Sequence, residues 1–200
     1  YTKDYNNALI NESLATLVET TEIAEKVIYS LLDFSSPGKE DYGQVNITKI
    51  VEQIVLLMRR NSIYKNIVIE TKFVPNQLIY YGEAEPLKHI FLNLISNAMN
   101  VLEPKGEILI RGYYEKIGNE DKLILIVKDN GPGMTEEVIT KVFEPFYTTD
   151  ITGKGHGMGL WITKIMVEKM HGSIILESKK GKGAEFIITI PENRDNRRTL

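Results

Sequence analysis

The sequence predicts an α+β fold of the α/β-sandwich kind, a mixed, mostly antiparallel sheet covered by helices on one face and preceded by a long helix. Three observations carry this. Helical patterns cluster early, whereas the later strands follow one another as hairpins, which segregates helices to one side of the sheet. The run Leu123-Ile124-Leu125-Ile126-Val127 is apolar throughout and reads as a buried strand. Two hundred residues with 42% hydrophobic content can bury the core of one domain of ordinary size plus an appendage.

Residues 1 to about 35 contain neither proline nor glycine and place Leu14, Leu17, Thr21, Ala24, Ile28 and Leu31 in three- and four-residue steps. This is the pattern of a long amphipathic helix with a coiled-coil-like seam. Alone it cannot bury that seam, so a partner helix is implied, from a second copy of the chain or from residues upstream. Ser35-Ser36-Pro37-Gly38 stops it. The expected organisation is a helical segment over 1–36, a linker over 37–43, a main domain over 44–192 and a polar, frayed tail over 193–200.

Within the main domain, Asn46 is suited to cap a helix carrying Ile50, Ile54, Val55 and Met58. Asn66 to Phe73 alternates as a strand and Leu78 to Tyr81 forms a short one. A helix is expected from about Glu83 to Leu102. Strands follow at Glu107 to Tyr114 and Leu123 to Lys128, joined by a turn containing Gly118 and Asn119. Last come a helix from Leu160 to His171 and strands at Ser173 to Ser178 and Ala184 to Ile190, with Gly181-Lys182-Gly183 as their hairpin turn.

Composition narrows the function. A net charge of −3 with interspersed signs argues against nucleic-acid binding as the main business. The absence of cysteine excludes disulfides, thiolate metal sites and a cysteine nucleophile. No apolar run approaches the ~20 residues of a membrane span, so no membrane contact is expected from this chain, and a cytoplasmic location is compatible with a parent protein anchored in a membrane.

Glycine is concentrated in two clusters, Asp129-Asn130-Gly131-Pro132-Gly133-Met134 and Gly153-Lys154-Gly155-His156-Gly157-Met158-Gly159-Leu160. Alternate glycines let backbone N–H groups converge on an anion, and a helix starting near Leu160 would aim its positive end at the same place. The spacing matches neither the P-loop nor the dinucleotide fingerprint. On the helix from Glu83, His89, Asn93, Asn97 and Asn100 fall at intervals of four, four and three, in one stripe. Amides on a core helix are costly unless bonded or bound to something. The stripe is open to three readings: a solvent face, a few satisfied core amides, or a ligand surface on which Asn97 offers an oxygen to a hard cation such as Mg²⁺.

Asn93-Leu94-Ile95-Ser96-Asn97-Ala98 resembles the N box of sensor histidine kinases, and Asp129-x-Gly131-x-Gly133 their first glycine box. Phe143-Glu144-Pro145-Phe146 resembles their F box, and Gly155-His156-Gly157-Met158-Gly159-Leu160 their second glycine box. The motifs follow in the family's order. Over residues 44–192 the resemblance implies a catalytic ATP-binding domain with the Bergerat fold, shared with gyrase and the heat-shock chaperone ATPase. The first helix with Asp33-Phe34-Ser35 resembles the second helix of the family's dimerisation hairpin and its exit.

The resemblance implies that Asn97 coordinates Mg²⁺ bridging the phosphates, that Asn93 lines the phosphate end, and that Asp129 accepts a hydrogen bond from the adenine amino group. Gly131 and Gly133 would let the backbone, with Met134, approach the base. Phe143 and Phe146 would anchor a mobile lid whose Lys154 and whose glycines Gly155, Gly157 and Gly159 close over the phosphates, with Met158 and Leu160 at its exit. Asn100 stands where many family members carry lysine or arginine, leaving charge compensation to Lys154, and His156 stands in the lid where a small residue is usual. Related ATPases that hydrolyse ATP carry a glutamate base at the position of Asn93, and an amide cannot take that proton. The implied activity is therefore transfer of the ATP γ-phosphate to a histidine, for relay to the receiver domain of a response regulator, in a homodimer built on the N-terminal helix. The acceptor is expected upstream of Tyr1, since His89, His156 and His171 do not stand in its place. Two other readings are an ATP-hydrolysing switch of the gyrase or chaperone type and a non-catalytic dimerisation and docking module.

Overall fold

The structure is a computed structural model describing residues 42–59, 66–102, 104–149 and 157–192. By backbone contacts the chain divides into Tyr1–Lys39 and Glu40–Leu200, and all described residues belong to the second unit. The expected helix over 1–36, the tail over 193–200 and the lid residues Lys154, Gly155 and His156 lie outside the described residues.

The first element is a strand the sequence did not announce, β1 (Gly43–Asn46). Gly43, read as the last linker residue, pairs with Gly82 of β3 (Ile79–Gly82) in an antiparallel two-stranded ribbon. Asn46 ends β1 and caps α1 (Ile47–Met58): its side chain accepts from Lys49 N–H at 2.9 Å, satisfying one of the donors a helix start leaves free. β2 (Asn66–Val74) precedes β3, and α2 (Ala84–Leu102) follows it. Pro86 sits in the first turn of α2, where a missing N–H costs nothing, and Glu85 places a negative charge at the positive end of the helix.

β4 (Lys105–Ile117) and β5 (Glu120–Asp129) form a long hairpin around Gly118, which has a φ of 64°. Thr135 then caps the short α3 (Glu136–Lys141), a helix too brief to show periodicity in the sequence. α4 (Gly159–Lys169), β6 (Ser173–Ser178) and β7 (Ala184–Pro191) complete the domain. α4 stops two residues before the expected end, and His171 takes a positive φ of 56° beyond it.

The main sheet has the order β2-β4-β5-β7-β6. Only β2 and β4 are parallel, the chain crossing between them through β3 and α2; all other neighbours are antiparallel. One face is lined by Leu123, Leu125 and Val127 of β5 and by Phe186, Ile188 and Ile190 of β7, which join Leu87, Ile90, Phe91, Leu94, Ile95 and Ala98 of α2 and Val167 of α4 in a single core. Burying each large side chain of this kind is worth about 1.5–3 kcal/mol. On the opposite face Ile124 and Ile126 are buried too, whereas Ile175 on β6 is 55% exposed. Among the described residues no helix is long and apolar enough to cross a membrane.

Candidate functional site

Asp129 is the last residue of β5 and is only 6% exposed, one of two buried polar residues among those described. Its Oδ1 accepts two backbone hydrogen bonds, from Gly131 N–H at 2.8 Å and from Ala184 N–H at 3.3 Å. Both fall on one oxygen, which fixes the carboxylate plane and leaves Oδ2 for another donor. Burial pushes the carboxyl pKa up, partly offset by these same two bonds, which favour the ionised form.

The wall around Asp129 is interlocked backbone. Gly183 has a φ of 79°, and a Cβ there would lie 1.9 Å from the Asp129 carbonyl oxygen. Gly133 has a φ of 64°, and its Cβ would lie 2.1 Å from the Lys179 carbonyl oxygen. Gly181 N–H donates to the Pro132 carbonyl at 2.6 Å. Ser178 joins the two loops: its hydroxyl accepts from Met134 N–H at 2.9 Å and donates to the Gly183 carbonyl at 2.7 Å. Asn130 ties the loop back to β4, its side chain accepting from Glu107 N–H at 2.8 Å. A Cβ on Gly131 would approach Val101 and Leu102 at 3.3 and 3.4 Å, so the loop also reaches the C-terminal end of α2. Met134 packs against the core, as does Phe143, whose ring meets Phe186 edge-on at 6.4 Å.

The second half of the site is carried by two helices. Asn93 and Asn97 are half-buried on α2, and Asn100 is exposed. Asn93 Nδ2 donates to Thr163 Oγ1 on α4 at 2.8 Å, and its amide lies against Gly159, the first residue of α4. Met158, at the N-cap position of α4, is buried and supplies no side-chain cap, so the first N–H groups of the helix are left for another acceptor. Leu160 packs against the core. Gly157 has a φ of 65°, and a Cβ there would lie 2.4 Å from the Phe146 carbonyl carbon and 2.6 Å from the Tyr147 carbonyl oxygen. The chain thus returns at Gly157 against the backbone of Phe146 and Tyr147.

Of the two phenylalanines expected to anchor that segment, only Phe143 is packed. Phe146 is 66% exposed with a φ of 65°, and its backbone lies against Gly157. His89 belongs to the asparagine stripe by spacing but lines a groove of about 300 Å³ with Ile50, Ile54 and Leu57 of α1. Sequence reasoning missed Ser178, Gly183, Ala184 and Thr163. For Gly183 the signal was present, since Gly181-Lys182-Gly183 was read as a hairpin turn; that the turn also forms a wall of the site required the fold.

No cluster of three or more carboxylates or histidines suited to a metal occurs among the described residues. Asn97, half-buried on α2, carries an amide oxygen, a donor type that a hard cation keeping several waters accepts.

A family model described as histidine kinase-, DNA gyrase B-, and HSP90-like ATPase matches residues 82–194. The chain is 31% identical to sporulation kinase E of Bacillus subtilis over 87% of its own length and 23% of that protein. It is 26% identical to the signal transduction histidine-protein kinase AtoS of Escherichia coli, over 94% of the chain and 30% of that protein. The chain thus spans less than a third of each of these relatives. Among solved structures, the nucleotide-free catalytic domain of histidine kinase ThkA superimposes with a TM-score of 0.66 at 25% identity, covering 76% of this chain and 96% of that one. Full-length ShkA, solved in complex with AMPPNP, shares the fold with a TM-score of 0.69 at 24% identity, over 87% of this chain and 37% of that one.

Proposed function

We propose, from the premise that this chain belongs to the histidine kinase-, DNA gyrase B- and HSP90-like ATPase family and is the catalytic ATP-binding domain of a sensor histidine kinase, that it transfers the γ-phosphate of ATP to a histidine on a partner helix. The observation that carries this reading is the Asp129 carboxylate, with one oxygen held by Gly131 and Ala184 and the other left for a donor. An adenine amino group satisfies that oxygen; guanine presents a carbonyl there and is repelled. The base lies between the Gly131–Met134 loop and α2, which points the phosphates toward Asn93, Asn97 and the start of α4.

Asn97 would hold Mg²⁺, which would supply charge neutralisation for the phosphates, and Lys154 would add further positive charge. Asn93 and the N–H groups at the start of α4 orient the terminal phosphate. The acceptor imidazole nitrogen attacks the γ-phosphorus, the bond to the bridging oxygen breaks, and ADP leaves. Positioning and charge neutralisation supply most of the rate in such a transfer. The phosphate then passes to an aspartate on a response regulator, in a cytoplasmic homodimer joined through the N-terminal helix. Asn93, an amide already engaged with Thr163, is unsuited to deprotonate an attacking water, which favours transfer over hydrolysis.

The test is incubation of the chain with γ-labelled ATP, Mg²⁺ and a separate hairpin carrying an acceptor histidine. Acid-labile label on the hairpin is expected, and none on the chain alone. Phosphate release without transfer would favour a hydrolytic switch, and neither activity from a folded chain would favour a docking module.

A further inference from the structure

We infer that Thr163 is a positioning residue for the phosphate end of the nucleotide site, its hydroxyl anchoring the Asn93 amide beside the start of α4. This rests on the ATP-site reading above. Thr163 is 1% exposed, and a buried hydroxyl is costly unless paired. Its partner is Asn93 Nδ2, which donates to Thr163 Oγ1 at 2.8 Å across the packed interface of α2 and α4. One turn earlier on α4, Gly159 meets the other end of the same amide. A Cβ there would lie 2.2 Å from Asn93 Oδ1, 2.9 Å from its Cγ and 3.1 Å from its Nδ2.

The amide is therefore spread across the first turn of α4, its nitrogen held by Thr163 and its oxygen laid against Gly159. The two ends of an asparagine amide are alike in shape and opposite in hydrogen-bonding sense. A hydroxyl can accept from the NH₂ end or donate to the oxygen, so it does not choose between them; what it fixes is the rotation of the amide, held here through its nitrogen beside the first turn of α4. Without it, no hydrogen bond among those described holds the amide in this rotation. A mobile amide would no longer offer its second N–H to the terminal phosphate from a fixed position, while Asp129, which meets the base in the reading above, would be unaffected. Thr163 thus bears on recognition of the γ-phosphate and not on the base.

The experiment titrates the wild-type chain, Thr163→Val and Thr163→Ser with ATP and with ADP in the presence of Mg²⁺. Valine keeps the shape of threonine and removes the hydroxyl; serine keeps the hydroxyl. The valine variant is expected to lower the ratio of ATP to ADP affinity by roughly three- to tenfold, the worth of one hydrogen bond, with ADP affinity within about twofold of wild type. Serine is expected to restore the wild-type ratio, which a purely packing role would not do. If the valine variant does not fold, Thr163→Ala provides the hydroxyl-free chain for the same comparison. An unchanged ratio in the hydroxyl-free chain, or a serine variant as impaired as valine, overturns this inference alone. Failure of the wild-type chain to bind either nucleotide would overturn the ATP-site reading and this inference with it.

Discussion

At Asp129 the site is made of backbone: two N–H groups on one carboxylate oxygen, a glycine carbonyl on a serine hydroxyl, and two positive-φ glycines pressed against carbonyls of the facing loop. At Asn93 it is made of side chains, with an amide-to-hydroxyl bond joining α2 to α4 and a glycine whose nearest neighbours are atoms of that amide. Backbone contacts cannot rotate away, whereas a side chain can. The Asp129 end is therefore a fixed template and the Asn93 end an adjustable one, which on the proposed reading suits a base that is held and a phosphate that is gripped, transferred and released.

Alanine substitution at one glycine from each end breaks or sharpens that contrast most directly. Gly183→Ala forces a methyl group against the Asp129 carbonyl in a left-handed conformation, and is expected to cost roughly 2–4 kcal/mol of stability. Gly159→Ala meets the Asn93 side chain first, which can turn aside, and the helix propensity of alanine offsets much of the strain; a change of under about 1 kcal/mol is expected. Denaturant unfolding of both variants measures the difference, and equal losses would mean that the two ends are equally rigid.

Next in size is Asp129→Asn. The amide oxygen can still accept from Gly131 and Ala184, so the fold is kept, but an NH₂ group now faces the adenine amino group. ATP affinity is expected to fall by about 10- to 100-fold, the cost of an unsatisfied buried donor. Calorimetric titration with ATP and GTP checks it, and undiminished ATP binding would remove Asp129 from base recognition.

The smallest effect expected is on pH dependence, and its two signs differ. The folded-state pKa of Asp129 is raised, so the folded chain holds this proton more tightly than the unfolded chain does. The group's contribution to stability is thus greatest below its unfolded pKa and is lost as pH rises through the folded value. On the proposed reading, adenine binding needs the ionised carboxylate and weakens as pH falls through that same value. ATP affinity measured from neutral to mildly acid pH should decline in the wild type, and Asp129→Asn should abolish the decline.

Much of this arrangement was legible in the sequence because it rests on local chemistry. Asn46 as a cap, the Gly181-Lys182-Gly183 turn and Asp129 between an apolar strand and a glycine pair are each set by neighbouring residues. What escaped depends on residues far apart. β1 is four residues whose strand character comes from pairing with β3, and the parallel pairing of β2 with β4 has no mark in either segment. Ala184 acts through its backbone N–H, which every residue but proline carries, and Thr163 reads as an ordinary polar position on a helix until Asn93, 70 residues away in sequence, is seen beside it.

The bond from Ala184 to Asp129 also dates the site within the life of the chain. Asp129 leaves the ribosome 55 residues ahead of Ala184, a lag of roughly 3–11 s at ordinary rates of translation. Through that interval the nascent chain can hold α2 and the β4–β5 hairpin but lacks Gly183, Ala184 and the loop that presses on Gly133. On the proposed reading, nucleotide capture is therefore a late event in synthesis, and a product terminated before β7 carries the asparagines and the aspartate without the wall that joins them.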